Sequence, residues 1–264
     1  MPSVNRSHRH LLALVAALAI LLAACGGGGT DTAKGSQHGG TPTTKGTVTT
    51  ATTIPAFVSY VATAKSSVKK VGIYAHPNDA SPAQELDNPW LIDTDYPDSK
   101  IPQVFLVKTQ QKDWAEVLLP VRPNGSTGWV KMSDVDLREN TYQIKIELGA
   151  HRITVTNSGL ALYTGAIAVG TSDTPTPTGS YYLRVLIKAV DPTTVYGPYA
   201  YGLSSHSDKL ETFAGGDAEI GIHGNNDTSV LGKDVTHGCI RMDNDAITKL
   251  SKSLPLGTPV QVVA

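Results

Sequence analysis

The most informative part of this sequence starts at Ile222-His223-Gly224 and continues, after a loop-like segment, to Thr236-His237-Gly238-Cys239-Ile240-Arg241-Met242. A thiol with an ordinary pKa near 8.5 is only a few per cent thiolate at neutral pH. A catalytic cysteine therefore needs an adjacent base and a favourable positive potential. Both kinds of group are present in these two segments, which makes Cys239 a candidate nucleophile.

The neighbours of Cys239 supply the other chemistry. His223 and His237 can each provide an imidazole, and Arg241 adds a fixed positive charge. Gly238 has no β-carbon, so backbone amides can approach a substrate closely there and help form an oxyanion hole. A helix expected just after Cys239 could also turn its positive end toward the sulfur. Residue types alone do not rank the two histidines, because only geometry separates them.

These residues resemble the catalytic signature of the YkuD-type L,D-transpeptidase family. That signature is a His-Gly pair followed, after a variable loop, by Ser/Thr-His-Gly-Cys-hydrophobe-Arg. A second resemblance lies upstream, in Thr174-Pro175-Thr176-Pro177-Thr178-Gly179-Ser180-Tyr181-Tyr182, which looks like the family's proline-rich turn leading into an aromatic-bearing strand. The resemblance covers the chain from about Tyr142 to Ala264.

The resemblance implies a role for each matching residue. Cys239 would be the nucleophile, and His223 would take and return its proton. The main-chain carbonyl of Gly224 would orient the His223 ring. His237, Gly238 and Arg241 would shape the loop and stabilise charge, with Arg241 contacting substrate. Two of these residues also have a purely structural interpretation. His237 could be a loop histidine whose ring nitrogens are hydrogen-bonded, and Arg241 could form a salt bridge at the start of the helix.

The implied activity is cross-linking of peptidoglycan between the third residues of two stem peptides, a donor and an acceptor, through a thioester on Cys239. Carbapenem-type β-lactams would act as inhibitors, and no cofactor or metal ion is implied. With water as acceptor, the same site would be an L,D-carboxypeptidase. Papain-like endopeptidases place the cysteine before the histidine, which is the reverse of the order in this sequence. Sortases have a Thr-Leu-x-Thr-like strand before their cysteine, and this sequence lacks that strand.

Two other readings of the chain compete. One is a zinc site made of His223, His237 and Cys239, since imidazole and thiolate are good zinc ligands, but paired Cys-x-x-Cys or His-x-x-x-His spacing is lacking. The other is a non-catalytic lipoprotein that binds the cell wall. Nucleic acid is an unexpected partner because the net charge is -1 and the charged residues are dispersed.

The N-terminus has the pattern of an export signal. Arg6 and Arg9 precede an apolar run from Leu11 to Leu22, which is too short to span a bilayer well. The run ends in Leu22-Ala23-Ala24-Cys25, which resembles the bacterial lipoprotein box. We expect residues 1–24 to be a signal peptide and Cys25 to be lipidated, giving an exported protein anchored to the membrane and facing the cell wall or periplasm. Cys239 then has no partner among the two cysteines of the chain.

Two folded modules should follow a tether. Residues 25–55 are rich in Gly and Thr and cannot bury much apolar surface, which predicts a flexible tether. Residues 56–139 contain β-prone runs at 71–74, 104–107, 114–119 and 128–130, separated by turn residues such as Pro123-Asn124-Gly125. This part resembles a small bacterial SH3-like β-barrel, a module that either binds cell wall or packs against an enzyme domain.

Residues 140–264 should form a β-rich catalytic domain. Ile144, Ile146 and Leu148 alternate along one strand, Ile153 and Val155 along another, and a longer run extends over 161–169. A single helix is expected near the end, with Asp243 or Asn244 as its cap. Its buried face would comprise Ala246, Ile247, Leu250 and Leu254. The predicted fold class is therefore mainly β, with a short helix after Cys239.

Overall fold

The computed structural model describes residues 57–92, 99–213 and 215–264, so the predicted signal peptide, Cys25 and the whole of the predicted tether lie outside the described residues. The described chain is mainly β, which confirms the predicted fold class. Its strands are β1 (Ser59–Ala64), β2 (Lys70–Ile73), β3 (Gln84–Asp87), β4 (Trp90–Leu91), β5 (Lys100–Ile101), β6 (Val104–Gln111), β7 (Trp114–Leu118), β8 (Thr127–Lys131), β9 (Val135–Asn140), β10 (Tyr142–Glu147), β11 (Arg152–Asn157), β12 (Leu160–Ala166), β13 (Val169–Gly170), β14 (Gly179–Lys188), β15 (Tyr199–His206), β16 (Glu219–His223), β17 (Asp234–Thr236), β18 (Ile240–Arg241) and β19 (Pro259–Val263); its helix is α1 (Asn244–Leu250).

The first part of the described chain is a small all-β module, as predicted. Five strands form an antiparallel sheet in the order β8-β7-β6-β1-β9, and β2 pairs with β3 in a separate hairpin. The four predicted runs correspond to β2, β6, β7 and β8. Alternate residues of these strands point into one core, which includes Val71, Phe105, Val117 and Val130.

The second part is built on an eight-stranded sheet in the order β12-β11-β10-β19-β14-β15-β16-β18. The predicted alternation is confirmed for Ile144, Ile146, Ile153 and Val155, which are all buried, whereas Leu148 lies just beyond β10 and is half-buried. The run predicted over 161–169 is interrupted, since β12 ends at Ala166 and the short strand β13 starts at Val169. The C-terminal strand β19 inserts between β10 and β14, parallel to the first and antiparallel to the second.

Helix α1 follows the predicted pattern, with one difference in where it begins. Asp243 is the cap and accepts a hydrogen bond from the Ala246 amide at 3.0 Å. The predicted apolar side chains are buried, although Leu254 lies beyond the end of the helix at Leu250. However, the strand β18 lies between Cys239 and the helix. The Asp243 side chain therefore bonds an amide of the first turn of α1, and the helix does not begin at Cys239.

The two parts of the described chain have separate hydrophobic cores. One core is made by residues between Ala62 and Val135, and the other by residues between Ile144 and Val262. Both parts nevertheless belong to one compact unit over 51–264. The exact domain limits and the SH3-like identity of the first module stay predictions. In the described ranges, no helix has the length and apolar character needed to cross a membrane.

Candidate active site

The register of β16 against β18 brings Cys239 and His223 together. The two strands are parallel, with Ile222 opposite Ile240 and His223 opposite Arg241, so Gly221 lies beside Cys239. Side chains alternate along a strand, and the 221 and 223 positions therefore share one face. An ideal β-carbon at Gly221 would lie 3.9 Å from both Cys239 Sγ and His223 Cδ2. The thiol and the imidazole are thus neighbours on one face of the sheet.

The His223 ring is fixed in one tautomer. Its Nδ1 lies 2.7 Å from the carbonyl oxygen of Gly224, which can only accept a hydrogen bond. Nδ1 therefore carries the proton, and Nε2 keeps its lone pair free. His223 is buried, and this burial lowers the pKa of its imidazole to about 4, with a further lowering by the positive charge of Arg241. At neutral pH His223 is an uncharged base.

Burial also raises the pKa of the Cys239 thiol. The Gly221 amide, which donates to Sγ at 3.4 Å, and the charge of Arg241 act in the opposite direction without outweighing it. The carboxylate of Glu219 adds to the increase. The resting pair is consequently a neutral thiol beside a neutral imidazole. Positive potential is present, as the sequence suggested, but the thiolate must form during attack.

Gly224 can only be glycine in this packing. A β-carbon there would overlap Asn244 Oδ1 and would come within 2.9 Å of Pro198 Cδ. The Gly224 amide donates to the Tyr199 carbonyl at 3.1 Å, and Asn244 Oδ1 accepts from the Asn225 amide at 2.8 Å. These contacts hold the Gly224 carbonyl where it orients the His223 ring.

Two threonines clamp the loop that carries Cys239. The buried hydroxyl of Thr236 donates to the Cys239 carbonyl at 2.6 Å and accepts from the Gly238 amide at 3.1 Å. Thr176, from the proline-rich turn, donates to the Gly238 carbonyl at 2.7 Å. The second sequence signature thus packs directly on the first. Because the Gly238 amide is already engaged by Thr236, it does not face the pocket as a free donor in this conformation.

His237 and Arg241 occupy different environments. His237 is exposed, and its ring lies 5.4 Å from the ring of Phe213. Arg241 is half-buried beside the reactive pair, and its Nε is buried without a hydrogen-bond partner. None of the ion pairs found in the described ranges includes Arg241, so its positive charge is left to act on the pocket.

The reactive pair opens into a pocket of about 240 Å³. Several wall residues were not predicted as site residues. Tyr196 packs against His223 with ring centroids 5.0 Å apart, and Glu219 lies two residues before Gly221 on β16. They come from loops and strand ends whose sequences carry no specific spacing. The pocket is lined by Val195, Tyr196, Ser207, Leu210, Phe213, Ala218, Glu219, Ile220, His223, Thr236, His237, Cys239 and Arg241.

The rival zinc reading concerns three residues that the structure places differently. His223 and Cys239 lie together, whereas His237 is exposed beside Phe213. In the part of the chain that the structure describes, no three His, Cys, Asp or Glu side chains are grouped so that they could hold a metal ion.

A cysteine that immediately precedes β18 and lies beside a carbonyl-oriented histidine is an arrangement typical of a thiol nucleophile, and known proteins can be compared with it. Residues 141–262 match the family model of the L,D-transpeptidase catalytic domain, YkuD. Over residues 141–262 the chain is thus similar to the YkuD-type L,D-transpeptidase catalytic domain.

Several known proteins are similar to part of the chain. A Bacillus subtilis (strain 168) protein named as L,D-transpeptidase YkuD is 33% identical over 121 residues, which are 46% of this chain and 65% of that protein. Another from the same organism, named as L,D-transpeptidase YqjB, is 32% identical over 108 residues, 37% of this chain and 57% of the relative. The chain therefore spans somewhat less than two thirds of the length of these relatives. Among solved structures, an L,D-transpeptidase from Mycobacterium tuberculosis aligns with a TM-score of 0.40 and 14% identity, covering 61% of this chain and 90% of that one.

Proposed function

We propose that this chain is a peptidoglycan L,D-transpeptidase that forms cross-links between the third residues of stem peptides. The observation that carries the proposal is the placement of Cys239, just before β18, beside His223 of β16, with the Gly224 carbonyl fixing the tautomer that leaves Nε2 free. The family match over residues 141–262 supports the same reaction class.

The first half of the reaction makes a thioester. The donor is a tetrapeptide stem that ends in a diamino acid followed by D-Ala. Cys239 Sγ attacks the carbonyl carbon between them, and its proton passes to His223 Nε2. When the tetrahedral intermediate collapses, this proton goes to the leaving amine and D-Ala departs. An uncharged base suits this step, because His223 is neutral above a pH of about 4.

The second half transfers the acyl group. A side-chain amine of a neighbouring stem, such as that of diaminopimelate, attacks the thioester carbonyl and loses a proton to His223. The amide bond forms and the sulfur leaves, recovering the proton from His223. The positive charge of Arg241, which acts to lower the pKa of the Cys239 thiol, would stabilise the negative charge that develops on sulfur. Water in place of the amine would give a carboxypeptidase.

The test uses purified protein that lacks the predicted signal peptide and tether, residues 1–55, with a disaccharide-tetrapeptide as substrate. We expect release of D-Ala, cross-linked dimers in which two third residues are joined, and a covalent carbapenem adduct seen by intact mass. Cys239→Ala should abolish all three while the circular dichroism spectrum stays unchanged. D-Ala release without dimers would assign the carboxypeptidase instead. Adduct formation by Cys239→Ala would refute the nucleophile, and inertness of the wild type toward both reagents would support a non-catalytic cell-wall-binding protein.

We also propose that the protein is exported and anchored to the membrane by lipid on Cys25, facing the cell wall or periplasm. The sequence Leu22-Ala23-Ala24-Cys25 supports this location. Cys25→Ala should leave the leader uncleaved or release the protein from membranes. A variant that is processed and still fractionates with membranes would contradict the proposal. The first β module is proposed to be SH3-like, in keeping with its short antiparallel strands.

A further inference from the structure

One wall of the Cys239 pocket is formed by the excursion between β15 and β16. We use the term wall segment for residues 207–213 and 215–218, of which Ser207, Leu210, Phe213 and Ala218 line the pocket. Between Asp208 and Asp217 every described residue is exposed except the half-buried Leu210. A segment with so few buried apolar contacts has little local stability of its own. Its position must therefore be set by contacts to neighbouring elements.

The first β module, which contains β1 to β9 and is called the N-terminal module below, supplies those contacts mainly through one arginine. Arg122 lies in the connection between β7 and β8, and its guanidinium donates to four main-chain carbonyls of the wall segment. The distances are 2.6 Å to Ser207, 3.0 Å to Leu210, 3.5 Å to Glu211 and 2.6 Å to Asp217. These carbonyls come from both ends of the wall segment, so a single side chain connects its two ends. The planar fork of arginine suits such multiple contacts better than a lysine would.

A second side chain from the same connection adds to this contact. Asn124 pairs with the main chain of His206 in both directions, accepting from its amide at 2.9 Å and donating to its carbonyl at 2.7 Å. The His206 ring in turn lies 2.9 Å from Asp217 Oδ2, across the neck of the wall segment. The N-terminal module thus contacts His206, which in turn contacts Asp217 at the other end of the wall segment.

Another line of contacts leads from the same module to the same pocket. The guanidinium of Arg184 lies 3.8 Å from the centre of the Trp90 ring, on the N-terminal module. Arg184 also donates to Glu219 Oε1 at 3.1 Å, and Glu219 lines the pocket beside Cys239. Two separate parts of the module therefore reach residues of the catalytic pocket.

We propose that the N-terminal β module acts as a positioning element for catalysis, in which Arg122 holds the wall segment in the shape that receives the stem peptide. This inference rests on the proposed transpeptidase function for its substrate. Arg122 touches neither substrate nor the reacting atoms, so it is a positioning residue. Loss of its contacts should weaken binding of the peptide while leaving the chemistry of Cys239 and His223 in place.

The test compares Arg122→Ala with a matched control, Arg138→Ala. Arg138 also donates across the junction of the two parts, to the Leu256 carbonyl, but does not contact the wall segment. The first readout is amide hydrogen exchange over residues 207–217, which needs no turnover. Arg122→Ala should lose protection there, Arg122→Lys should lose part of it, and Arg138→Ala should match wild type.

The second readout is steady-state kinetics with the disaccharide-tetrapeptide. For Arg122→Ala we expect KM to rise about tenfold, within the range typical of coupling between separate sites, with little change in kcat. Unchanged exchange in Arg122→Ala, or equal losses in Arg138→Ala, would overturn the proposal. A wild-type protein inactive on the peptide would refute the proposed function, while the exchange experiment would still decide whether Arg122 holds the wall.

Discussion

At the scale of single residues, the two histidines near Cys239 have different surroundings. His223 is buried with Nδ1 engaged by Gly224, whereas His237 is exposed and packs against Phe213. Residue types alone left them tied, and only the resemblance to the L,D-transpeptidase signature ranked His223 as the base. The register of β16 against β18 is what places His223 beside Cys239, and residue types cannot reveal a pairing between strands.

This difference predicts unequal effects of substitution. His223→Ala should slow carbapenem acylation by about 10²–10⁴-fold, the usual worth of a general base. His237→Ala should cause a smaller loss, because only its contact with Phe213 disappears. Alkaline pH should partly rescue His223→Ala by deprotonating Cys239 directly, and only well into the alkaline range since burial raises the pKa of that thiol.

The measurement is the second-order acylation rate of both variants across pH, with circular dichroism to check folding. If His237→Ala shows the larger loss and the stronger alkaline rescue, the roles of the two residues must be exchanged.

The low pKa of His223 also predicts how stability depends on pH. Its pKa is about 4 in the folded chain, against about 6.5 for an unperturbed histidine. Between these values the unfolded chain binds a proton that the folded chain does not, so stability falls as pH decreases from 6.5 toward 4. The loss attributable to His223 is on the order of 3 kcal/mol at about 1.4 kcal/mol per pKa unit.

Urea unfolding at pH 7 and pH 4.5 would measure this effect in wild type and in His223→Gln. The variant should lose less stability on acidification than the wild type does. His206, whose pKa is also lowered by burial, contributes in the same direction and remains in both proteins. Equal losses in the two proteins would contradict the assigned pKa.

At the scale of elements, the strands with regular alternation of apolar residues were predictable. Strands β10 and β11 bury every second residue in one core, and the sequence shows this directly. Strand β9 was missed, because Val135–Asn140 contains Asp136, Arg138 and Glu139 and gains its strand conformation by pairing with β1. Short strands such as β13 and β18 depend on similar long-range partners.

The loop that carries Cys239 is held by a residue whose role the sequence did not reveal. Thr236 lies inside the quoted signature, yet only the structure shows its hydroxyl joining the Cys239 carbonyl to the Gly238 amide. The family signature has either Ser or Thr at this position. Both residues carry a hydroxyl, and this was the available hint. The pocket residues Tyr196 and Glu219 offered no comparable hint.

Removing that hydroxyl should therefore weaken the loop. Thr236→Val keeps the shape of the side chain but leaves two buried main-chain groups without partners, at a cost of about 1–3 kcal/mol. Thr236→Ser retains the hydroxyl and should stay close to wild type in both stability and carbapenem acylation. Denaturant unfolding and acylation rates would measure both variants. Equal behaviour of the valine and serine variants would show that the hydroxyl does not hold the loop.

At the scale of the whole molecule, the two parts of the described chain also meet where β1 lies against the turn before β19. Gly257, on the turn before β19, lies against Val61 of β1, whose side chain is fully buried. Arg138 donates to the neighbouring Leu256 carbonyl. The N-terminal module is thus attached at this junction and at the wall segment. Attachment at two places explains how a module with its own core can hold a pocket in its neighbour.

The tightness of the junction can be measured with a pair of glycines that share a backbone conformation. Gly257 has φ +84° and Gly232 has φ +87°, and each donates its amide to a main-chain carbonyl. A β-carbon at Gly232 would meet nothing within 4 Å, whereas at Gly257 it would overlap Val61 Cγ1. Gly232→Ala therefore reports the cost of the left-handed conformation alone, about 1–2 kcal/mol.

Gly257→Ala should cost that amount and a further 1–3 kcal/mol, roughly, for overpacking against Val61. The extra cost should shrink when Val61→Ala is added, because the shortened side chain makes room for the new methyl group. Urea unfolding of the two single variants and the double variant gives the coupling energy, expected at about 0.5–3 kcal/mol for residues in contact. If Gly257→Ala costs no more than Gly232→Ala, or the double variant is simply additive, the two parts do not pack closely here. The wall segment would then depend on Arg122 and Asn124 without support from this second attachment.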